Sequence, residues 1–360
     1  MLIGIVGGRL QGTEIAYLAR EAGYRTLLVD RDPRAPAAGL VDSVATFDMA
    51  DRTLLRDVIG RVDIVFPAIE NTAILEVLSH VAGQAGTPVV LDLDAYRISA
   101  SKLESNRLFA ELGIPAPRPF PECGFPVIAK PCFGSGSEGV RMFTRQSDMD
   151  SFLSGREIKD WCIQEFADGP SYSVEVIGRP GDYQAILVTE LFMDEIFDCR
   201  KVVAPARLPG SVESDFKSGS IAIAEAIGLR GIMDAEVILA GGKLLFLEID
   251  ARFPSQTPIA VYHATGINMV ETLADLFLNR QVRRRPCMSV RSTSLEHVRI
   301  TKDGSRCLGE HIMAQCGPLR VMKGFLDSEI AITNFRAGSN DCVATLINRS
   351  PTRHDAPAHS

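Results

Sequence analysis

The cysteine pattern holds no metal ribbon and no redox pair. The chain has eight cysteines, at positions 123, 132, 162, 199, 287, 307, 316 and 342, and no two of them stand at C-x-x-C spacing. In a chain of 360 residues they read as reduced, mostly buried thiols of a cytoplasmic protein. Basic charge is also lacking. A net charge of -7 gives no support to a nucleic-acid partner. The single basic run, Arg283-Arg284-Arg285, reads as a solvated loop, with a partner patch as the alternative. No apolar run approaches the roughly 20 residues of a membrane span, so no membrane partner is expected. The apolar start, Met1 to Val6, has no basic region before it and reads as a first core strand rather than a signal peptide. One Trp and six His leave little for histidine chemistry: His263 reads as a packing residue, and the Glu296-His297 pair is ambiguous. The segment 349–360 is polar and Pro-containing and reads as a disordered tail.

What is present is ordinary for a globular protein: 46% hydrophobic and 23% charged residues, in a chain long enough for two or three domains. Short apolar runs at 2–6, 26–29, 62–66 and 88–91 have the character of buried parallel strands. Helical patterns at 11–22, 52–59 and 72–81 separate them. The spacing predicts a doubly wound α/β domain over 1–95, with ligands beyond the carboxyl ends of the strands. Gly7, Gly8, Arg9, Leu10, Gln11, Asp30, Asp48, Glu70 and Asn71 fall at or near such ends. A second unit, 96–171, is small and α+β. It holds a helix at 102–112, a hairpin of 127–130 with 140–143, a helix near 148–153 and a strand at 161–166. The remainder, 172–348, is strand-rich, with strands at 173–177, 185–190, 231–239 and 244–249 and helices at 214–227 and 268–279.

Three motifs carry chemistry. Gly7-Gly8-x-x-x-Gly12 follows the first strand but lacks the G-x-G-x-x-G fingerprint of dinucleotide binding. It reads either as a tight turn or as a close approach to a small ligand, and an NAD(P)-dependent dehydrogenase stays as a weak alternative. Asp30 suits a ribose hydroxyl or an amine, and equally a turn cap before Pro33. Gly134-Ser135-Gly136-Ser137-Glu138-Gly139 does match G-x-G-x-x-G, in a strand–loop–strand context that suits a flap over phosphates. Lys130 lies just before it. The alternative is an ordinary flexible hairpin. Gln164-Glu165-Phe166-Ala167 ends a strand; such a segment offers backbone groups to an adenine edge and a carboxylate to ribose.

The third motif is Glu248-Ile249-Asp250-Ala251-Arg252. In a strand the side-chain period is two, so Glu248, Asp250 and Arg252 share a face. Gly241-Gly242 makes a tight turn before it. Counting outward from that turn, Leu239 meets Leu244 and Glu236 comes near Leu247 and Glu248. Three carboxylates then converge, and left alone they would raise one another's pKa. Mg²⁺ shared with phosphate oxygens removes that conflict; a salt-bridged sheet face with Arg252 is the structural alternative.

Lys102, Lys130 with its flap, Glu165, Glu236 and Glu248-x-Asp250-x-Arg252 occur in the order used by the ATP-grasp ligases, and the chain resembles that family over about 300 residues. Longer words resemble, within it, the pyrrolysine-biosynthesis ligases that join 3-methyl-D-ornithine to L-lysine. These are Gly7-Gly8-Arg9-Leu10-Gln11-Gly12, Ala95-Tyr96-Arg97-Ile98-Ser99, Gly231-Ile232-Met233-Asp234-Ala235-Glu236, Glu248 through Thr257, and Gly266-Ile267-Asn268. The flap is richer in Gly than that of the family, and little beyond about residue 300 matches. The resemblance implies an ATP-grasp fold with a Rossmann-like pre-grasp domain, and ATP with two Mg²⁺ ions as cofactors. It implies Arg9, Asp30, Asp48, Met49, Lys102, Lys130, Ser135, Ser137, Gln164, Glu165, Phe166 and Ala167 for ATP, and Glu236, Glu248 and Asp250 for the metal. Glu175, Asp234, Arg252, Phe253, Ser255, Gln256 and Thr257 would hold the ornithine moiety. Leu10, Gln11, Glu70, Asn71 and Glu296 would hold lysine. Arg252 would be catalytic. Another ATP-grasp amino-acid or peptide ligase, and a non-catalytic nucleotide-binding protein, are the remaining alternatives.

Overall fold

The computed structural model describes residues 1–134, 136–281 and 290–350. Ser135, the Arg283–Arg285 run, Cys287 and residues 351–360 therefore lie outside the described residues. The first sheet is built from β1 (Leu2–Val6), β2 (Arg25–Asp30), β3 (Ser43–Thr46) and β4 (Ile64–Pro67), in the order β3-β2-β1-β4. All its pairs are parallel. Helices α1 (Leu10–Glu21), α2 (Arg52–Ile59) and α3 (Thr72–Ala85) make the crossovers. Two departures from the sequence reading stand out. The stretch at 88–91 contributes only a single parallel bridge, Val65 to Val89, because Pro88 and the turn beyond it leave no room for a ladder. The strand β3 carries no apolar run and goes unseen in the sequence; it is a largely exposed edge.

Helices α4 (Leu93–Ser99) and α5 (Lys102–Glu111) lead into the second sheet. It comprises β5 (Val127–Pro131), β6 (Arg141–Phe143) and β7 (Trp161–Glu165), ordered β6-β5-β7, with α6 (Gln146–Leu153) between the last two in sequence. The expected hairpin is present, with Val127 opposite Phe143.

The third sheet has ten strands. In sequence these are β8 (Ser171–Arg179), β9 (Asp182–Met193), β10 (Cys199–Ala204), β11 (Gly231–Ala240), β12 (Lys243–Asp250), β13 (Ser292–Thr301), β14 (Gly304–Cys307), β15 (Arg320–Lys323), β16 (Ile330–Thr333) and β17 (Asp341–Ser350). Its order is β12-β11-β8-β9-β10-β13-β17-β16-β15, with β14 on β13. Strand β17 takes in Arg349 and Ser350, which the sequence assigned to the tail; both pair with β13. Helices α7 (Gly210–Ala226), α8 (Thr257–Thr265), α9 (Met269–Phe277) and the short α10 (His311–Ala314) pack on this sheet or at its end.

One core cluster joins the first sheet to the third. Ile3, Ile5 and Phe66 share it with Val202, Leu295, Ile347 and the helices α1, α8 and α9. Polar clamps cross the same boundary. The Glu14 carboxylate accepts from Ile259 N at 2.9 Å, and Asn268 Nδ2 donates to Leu18 O at 2.7 Å while its Oδ1 caps α9. Ser99 Oγ accepts from Ala251 N at 2.9 Å, which ties α4 to the exit of β12. Two of the sequence words thus hold the parts together around one cleft. No helix among the described residues is long and apolar enough to cross a membrane.

Candidate active site

The register of β11 on β12 decides which side chains meet. From the Gly241-Gly242 turn the ladder runs Leu239–Leu244, Ile238–Leu245, Val237–Phe246, as counted from sequence. Then it shifts: Glu236 faces Glu248 and Asp234 faces Asp250, so Leu247 is the extra residue of a β-bulge. In an unbroken ladder Glu236 would face Leu247. Because side chains alternate, Glu248 and Asp250 would then project from the face opposite to Asp234 and Glu236. The bulge puts all four acids on one face. Glu175 of β8 joins them, directly opposite Asp234.

Glu236, Glu248 and Asp250 share that face, and cations stand among them. Lys102 Nζ lies 2.8 Å from Glu248 Oε1 and donates to Gly134 O at 2.7 Å. Burial disfavours its charge, but Glu248 outweighs that and raises the Lys102 pKa. Arg252 bridges Asp250 Oδ2 at 2.9 Å and Glu70 Oε1 at 2.8 Å. It is buried; Asp250 and Glu70 more than offset that burial and hold it protonated. Among the described residues no three His, Cys, Asp or Glu side chains form a metal cage by themselves. That donor set suits Mg²⁺, which takes one or two carboxylates and completes its shell with phosphate and water. Burial raises the pKa of Glu236, Asp250 and Asp234, and neighbouring carboxylates add to it. A divalent cation would relieve both causes.

Two cavities meet here. The smaller, about 120 Å³, lies between the second sheet and β11–β12. Ile128, Phe166, Ile238 and the bulge residue Leu247 supply its apolar walls, and Lys102, Lys130, Gln164, Glu165 and Ala167 also line it. Its shape and lining suit a flat base with phosphates at one end. The larger, about 840 Å³, opens between the first and third sheets. Arg9, Leu10, Gln11, Glu70, Asn71, Asp234, Asp250, Arg252, Ser255, Gln256 and Thr257 line it. Ser137, Met193, Phe197, Glu236 and Glu248 line both.

Several sequence assignments change place. Arg9, Asp30, Asp48 and Met49 line the large cleft and not the small pocket. Asp30 accepts from Gly8 N at 2.7 Å and Asp32 N at 2.9 Å, which is the turn-cap reading. Asp48 likewise accepts from Ala50 N at 2.9 Å. The Gly7-Gly8 turn is packed: a Cβ at Gly7 would lie 2.4 Å from Ala68 O, and one at Gly12 would lie 2.2 Å from Gly7 O. The Glu165 carboxylate, offered to ribose by the sequence, is held instead by Arg118 through its backbone N and guanidinium, at 2.8–2.9 Å. That pairing outweighs burial and lowers its pKa. Glu296 lines neither cavity; it lies opposite Lys201 on β10 and pairs with it at 2.5 Å. Phe253 turns into the core against Phe66, ring centroids 6.2 Å apart. Glu175 is wholly buried behind the cleft wall. Thr257 lies against it and tempers its raised pKa of about 7, yet makes no hydrogen bond of good geometry. Both Glu175 oxygens, Asp234 Oδ1 and Thr257 Oγ1 have no hydrogen-bond partner.

Sequence reading missed Glu310 and His311, which line the large cleft, and Asp198, which accepts from His311 Nδ1 at 2.8 Å. Glu310 and His311 open the short helix α10 and Asp198 precedes β10, in segments that carry no recognisable word. Gln256, Phe197 and Ser137, all lining the cleft, are non-Gly residues at positive φ (+75, +64 and +57), strain of about 1–3 kcal/mol each that the surrounding contacts hold.

The glycine flap is docked onto this region. Ser137 Oγ donates to Phe197 O at 2.7 Å, and Gly136 (φ +62) abuts the His311 ring. A Cβ there would lie 2.9 Å from Cε1 and Nε2 of that imidazole. Gly136→Ala is therefore expected to lower kcat/KM for ATP about tenfold through the left-handed strain and the clash. Thermal melting should stay near wild type because the loop is surface backbone. Steady-state kinetics at varied ATP checks it.

Comparison with known proteins agrees with this geometry. The ATP-grasp domain family matches residues 99–256. The chain is 35% identical over 312 residues to the 3-methyl-D-ornithine–L-lysine ligase of Methanosarcina barkeri, covering 86% of this chain and 79% of that one. It is 31% identical to the Methanosarcina acetivorans ligase of the same name, covering 98% and 94%. Among solved structures, the biotin carboxylase domain of Hydrogenobacter thermophilus 2-oxoglutarate carboxylase, in complex with MgADP, superposes with a TM-score of 0.75 at 14% identity. That match covers 97% and 86% of the two chains. N5-carboxyaminoimidazole ribonucleotide synthetase from Thermus thermophilus gives 0.71 at 18%, covering 96% and 93%. These two share the fold. With the fold, the site and the curated relatives in agreement, the chain belongs to the ATP-grasp ligases and, within them, to the 3-methyl-D-ornithine–L-lysine ligase family.

Proposed function

We propose that the protein joins (3R)-3-methyl-D-ornithine to the ε-amine of L-lysine in pyrrolysine biosynthesis, in the cytoplasm. ATP phosphorylates the ornithine carboxylate; the lysine amine displaces phosphate from the acylphosphate, giving 3-methylornithyl-N6-lysine, ADP and phosphate. One observation carries this reading above the others. A base-sized pocket and a large polar cleft meet at Glu236 and Glu248, with Arg252 just inside the cleft. A phosphoryl donor on one side and an acid and amine on the other is the arrangement an ATP-dependent carboxylate–amine ligase needs.

The parts divide by sheet in this reading. Residues 1–95 form the lysine wall, 96–171 the nucleotide flap, and 172–348 the metal and ornithine side. Lys102 and Lys130 neutralise phosphate charge, and the backbone at 165–167 meets the adenine edge. Glu236, Glu248 and Asp250 would hold Mg²⁺, which would supply positive charge against the reacting phosphates. Arg252, kept protonated and aimed by Asp250 and Glu70, faces the carbonyl oxygen as the acylphosphate forms and collapses. Asp234, backed by Glu175, takes an ornithine amine. Ser255, Gln256 and Thr257 line the ornithine side of the cleft. Leu10, Gln11, Glu70 and Asn71 form the lysine wall; Gln11 Nε2 donates to Glu70 Oε1 at 2.6 Å, so Glu70 couples that wall to Arg252. The docked flap excludes water that would hydrolyse the acylphosphate.

The expected result is phosphate release from ATP and Mg²⁺ that requires both amino acids, with the isopeptide found by mass spectrometry. Release with 3-methyl-D-ornithine and other amines, but never with lysine, would sink the assignment.

A further inference from the structure

Glu310 is a cleft-lining acid that the proposed reaction has not yet used. It is 4% exposed, and Ser255 Oγ donates to its Oε1 at 3.3 Å. The other acids of this cleft are largely committed. Glu236, Glu248 and Asp250 face the metal and phosphates. Glu70 holds Gln11 and Arg252. Asp30 and Asp48 cap their own turns, and Asp198 holds His311. Among the described residues, two buried acids of the cleft make no ion pair and cap no turn: Asp234 and Glu310. Between them, out of the cleft, lie Glu175 and Glu14. Asp234 feels the charge of Glu175, and Glu14 feels those of Glu175 and Glu310, so the four run as one buried acidic band under residues 255–257.

An acidic band alone would be a stability cost and not a site. A second observation points to a ligand. Thr257 lines the cleft beside this band, is 3% exposed, and its Oγ1 has no hydrogen-bond partner; Asp234 Oδ1 is likewise without one. Both residues line the wall of a cleft of about 840 Å³. A buried carboxylate is tolerated when a cation meets it. The acid substrate of the proposed reaction carries two ammonium groups, one beside the carboxylate and one at the far end of its side chain.

We propose that Glu310 is a specificity-determining residue that binds the distal ammonium of the diamino acid, while Asp234 binds the one nearer the reacting carboxylate. Glu310 then measures chain length: an acid without the distal amine, or with it one carbon short, leaves a buried carboxylate without its cation. Gln256, held in strained backbone beside it, hydrogen-bonds this carboxylate and fixes its position. The inference rests on the ligase reading above and deepens it.

The test compares D-ornithine with D-norvaline, which keeps the five-carbon acid and lacks the distal amine, in the full-length enzyme with Mg²⁺, ATP and L-lysine. Wild type should favour D-ornithine strongly. Glu310→Gln, close in shape to a protonated Glu, should raise KM for D-ornithine roughly 10- to 100-fold. It should cut the D-ornithine preference by the same factor and leave KM for ATP and for lysine unchanged. Glu310→Asp, which keeps the charge but withdraws it by one methylene, should show a smaller rise with the preference largely retained. A rise in KM for lysine in its place, or an unchanged D-ornithine preference in Glu310→Gln, overturns the proposal. Wild type that needs neither amino acid for phosphate release overturns the ligase reading instead, so the two failures are distinct.

Discussion

Arg252→Ala is expected to lower kcat for ligation by about 10³-fold or more while KM for ATP changes little. The guanidinium lines the large cleft and is absent from the lining of the base pocket, so nucleotide binding does not depend on it. Its partners, Asp250 at 2.9 Å and Glu70 at 2.8 Å, both hold Nη2 and so fix that end of the guanidinium. A positive charge already aimed costs no reorganisation when an oxyanion develops. Arg252→Lys separates charge from geometry. It keeps one cation, but an ammonium that takes the place of Nη2 between Asp250 and Glu70 has no second nitrogen left for the oxyanion, so it should recover only a small part of the rate. Arg252→Ala also removes a partly buried pairing: Asp250 and Glu70 lose their shared cation, a loss of about 1–3 kcal/mol. Asp250 then loses the neighbour that lowers its pKa, so the variant should lose more stability than wild type between pH 6 and pH 8. Single-turnover phosphate release, isopeptide yield and melting at the two pH values read these effects. A variant with near-normal turnover would remove Arg252 from the mechanism.

The alternation at Glu248, Asp250 and Arg252 is legible because it is local: a strand's period is fixed by the backbone, and the apolar run before it marks the strand. The Gly241-Gly242 turn is equally local, and the ladder follows it faithfully as far as Val237–Phe246. The bulge at Leu247 is not legible. No residue there demands it, and the acids share a face only because the sheet takes one extra residue. Glu296 is misplaced for a related reason: its role is set by pairing with Lys201 on a strand almost a hundred residues away, which no local pattern encodes. Phe253 sits inside a run of site residues, and proximity in sequence assigns it to the site. The turn after β12 sends it the other way, against Phe66. The helices and strands of the first sheet are readable from apolar runs, whereas the polar edge strand β3 and the strands after residue 300 are made by tertiary pairing. Glu310 and His311 belong to that last region and enter the site only when α10 is laid against the cleft.

Glu236→Gln is expected to cost at least about 10²-fold in phosphoryl transfer while making the ligand-free protein more stable at high pH. The second half follows from the sign of the shifts. Burial and neighbouring charge raise the folded-state pKa of Glu236, Asp250 and Asp234. Burial likewise lifts Glu175 and Glu310 to about 7 and Glu14 to about 8, from an ordinary 4.5. Between those values the folded protein binds more protons than the unfolded chain. Stability is therefore greatest near pH 4.5 on this account and falls as pH rises toward 8. The melting temperature of the ligand-free enzyme should drop across that window, and Glu236→Gln, with one carboxylate fewer in the cluster, should drop less. Mg²⁺ with ATP binds only the folded state, so at a hundred times its dissociation constant it should add about 2.7 kcal/mol to wild type. Glu236→Gln, without that ligand, should show a much smaller gain. Melting curves at pH 5.5 and 8, with and without Mg²⁺ and ATP, separate the two effects. A flat profile in wild type would remove the buried carboxylates from the stability account, and a Mg²⁺-dependent gain undiminished in the variant would remove Glu236 from the metal site. The two outcomes are linked through one cause: in Glu236 the buried charge that lowers stability at high pH is the charge that would hold the metal.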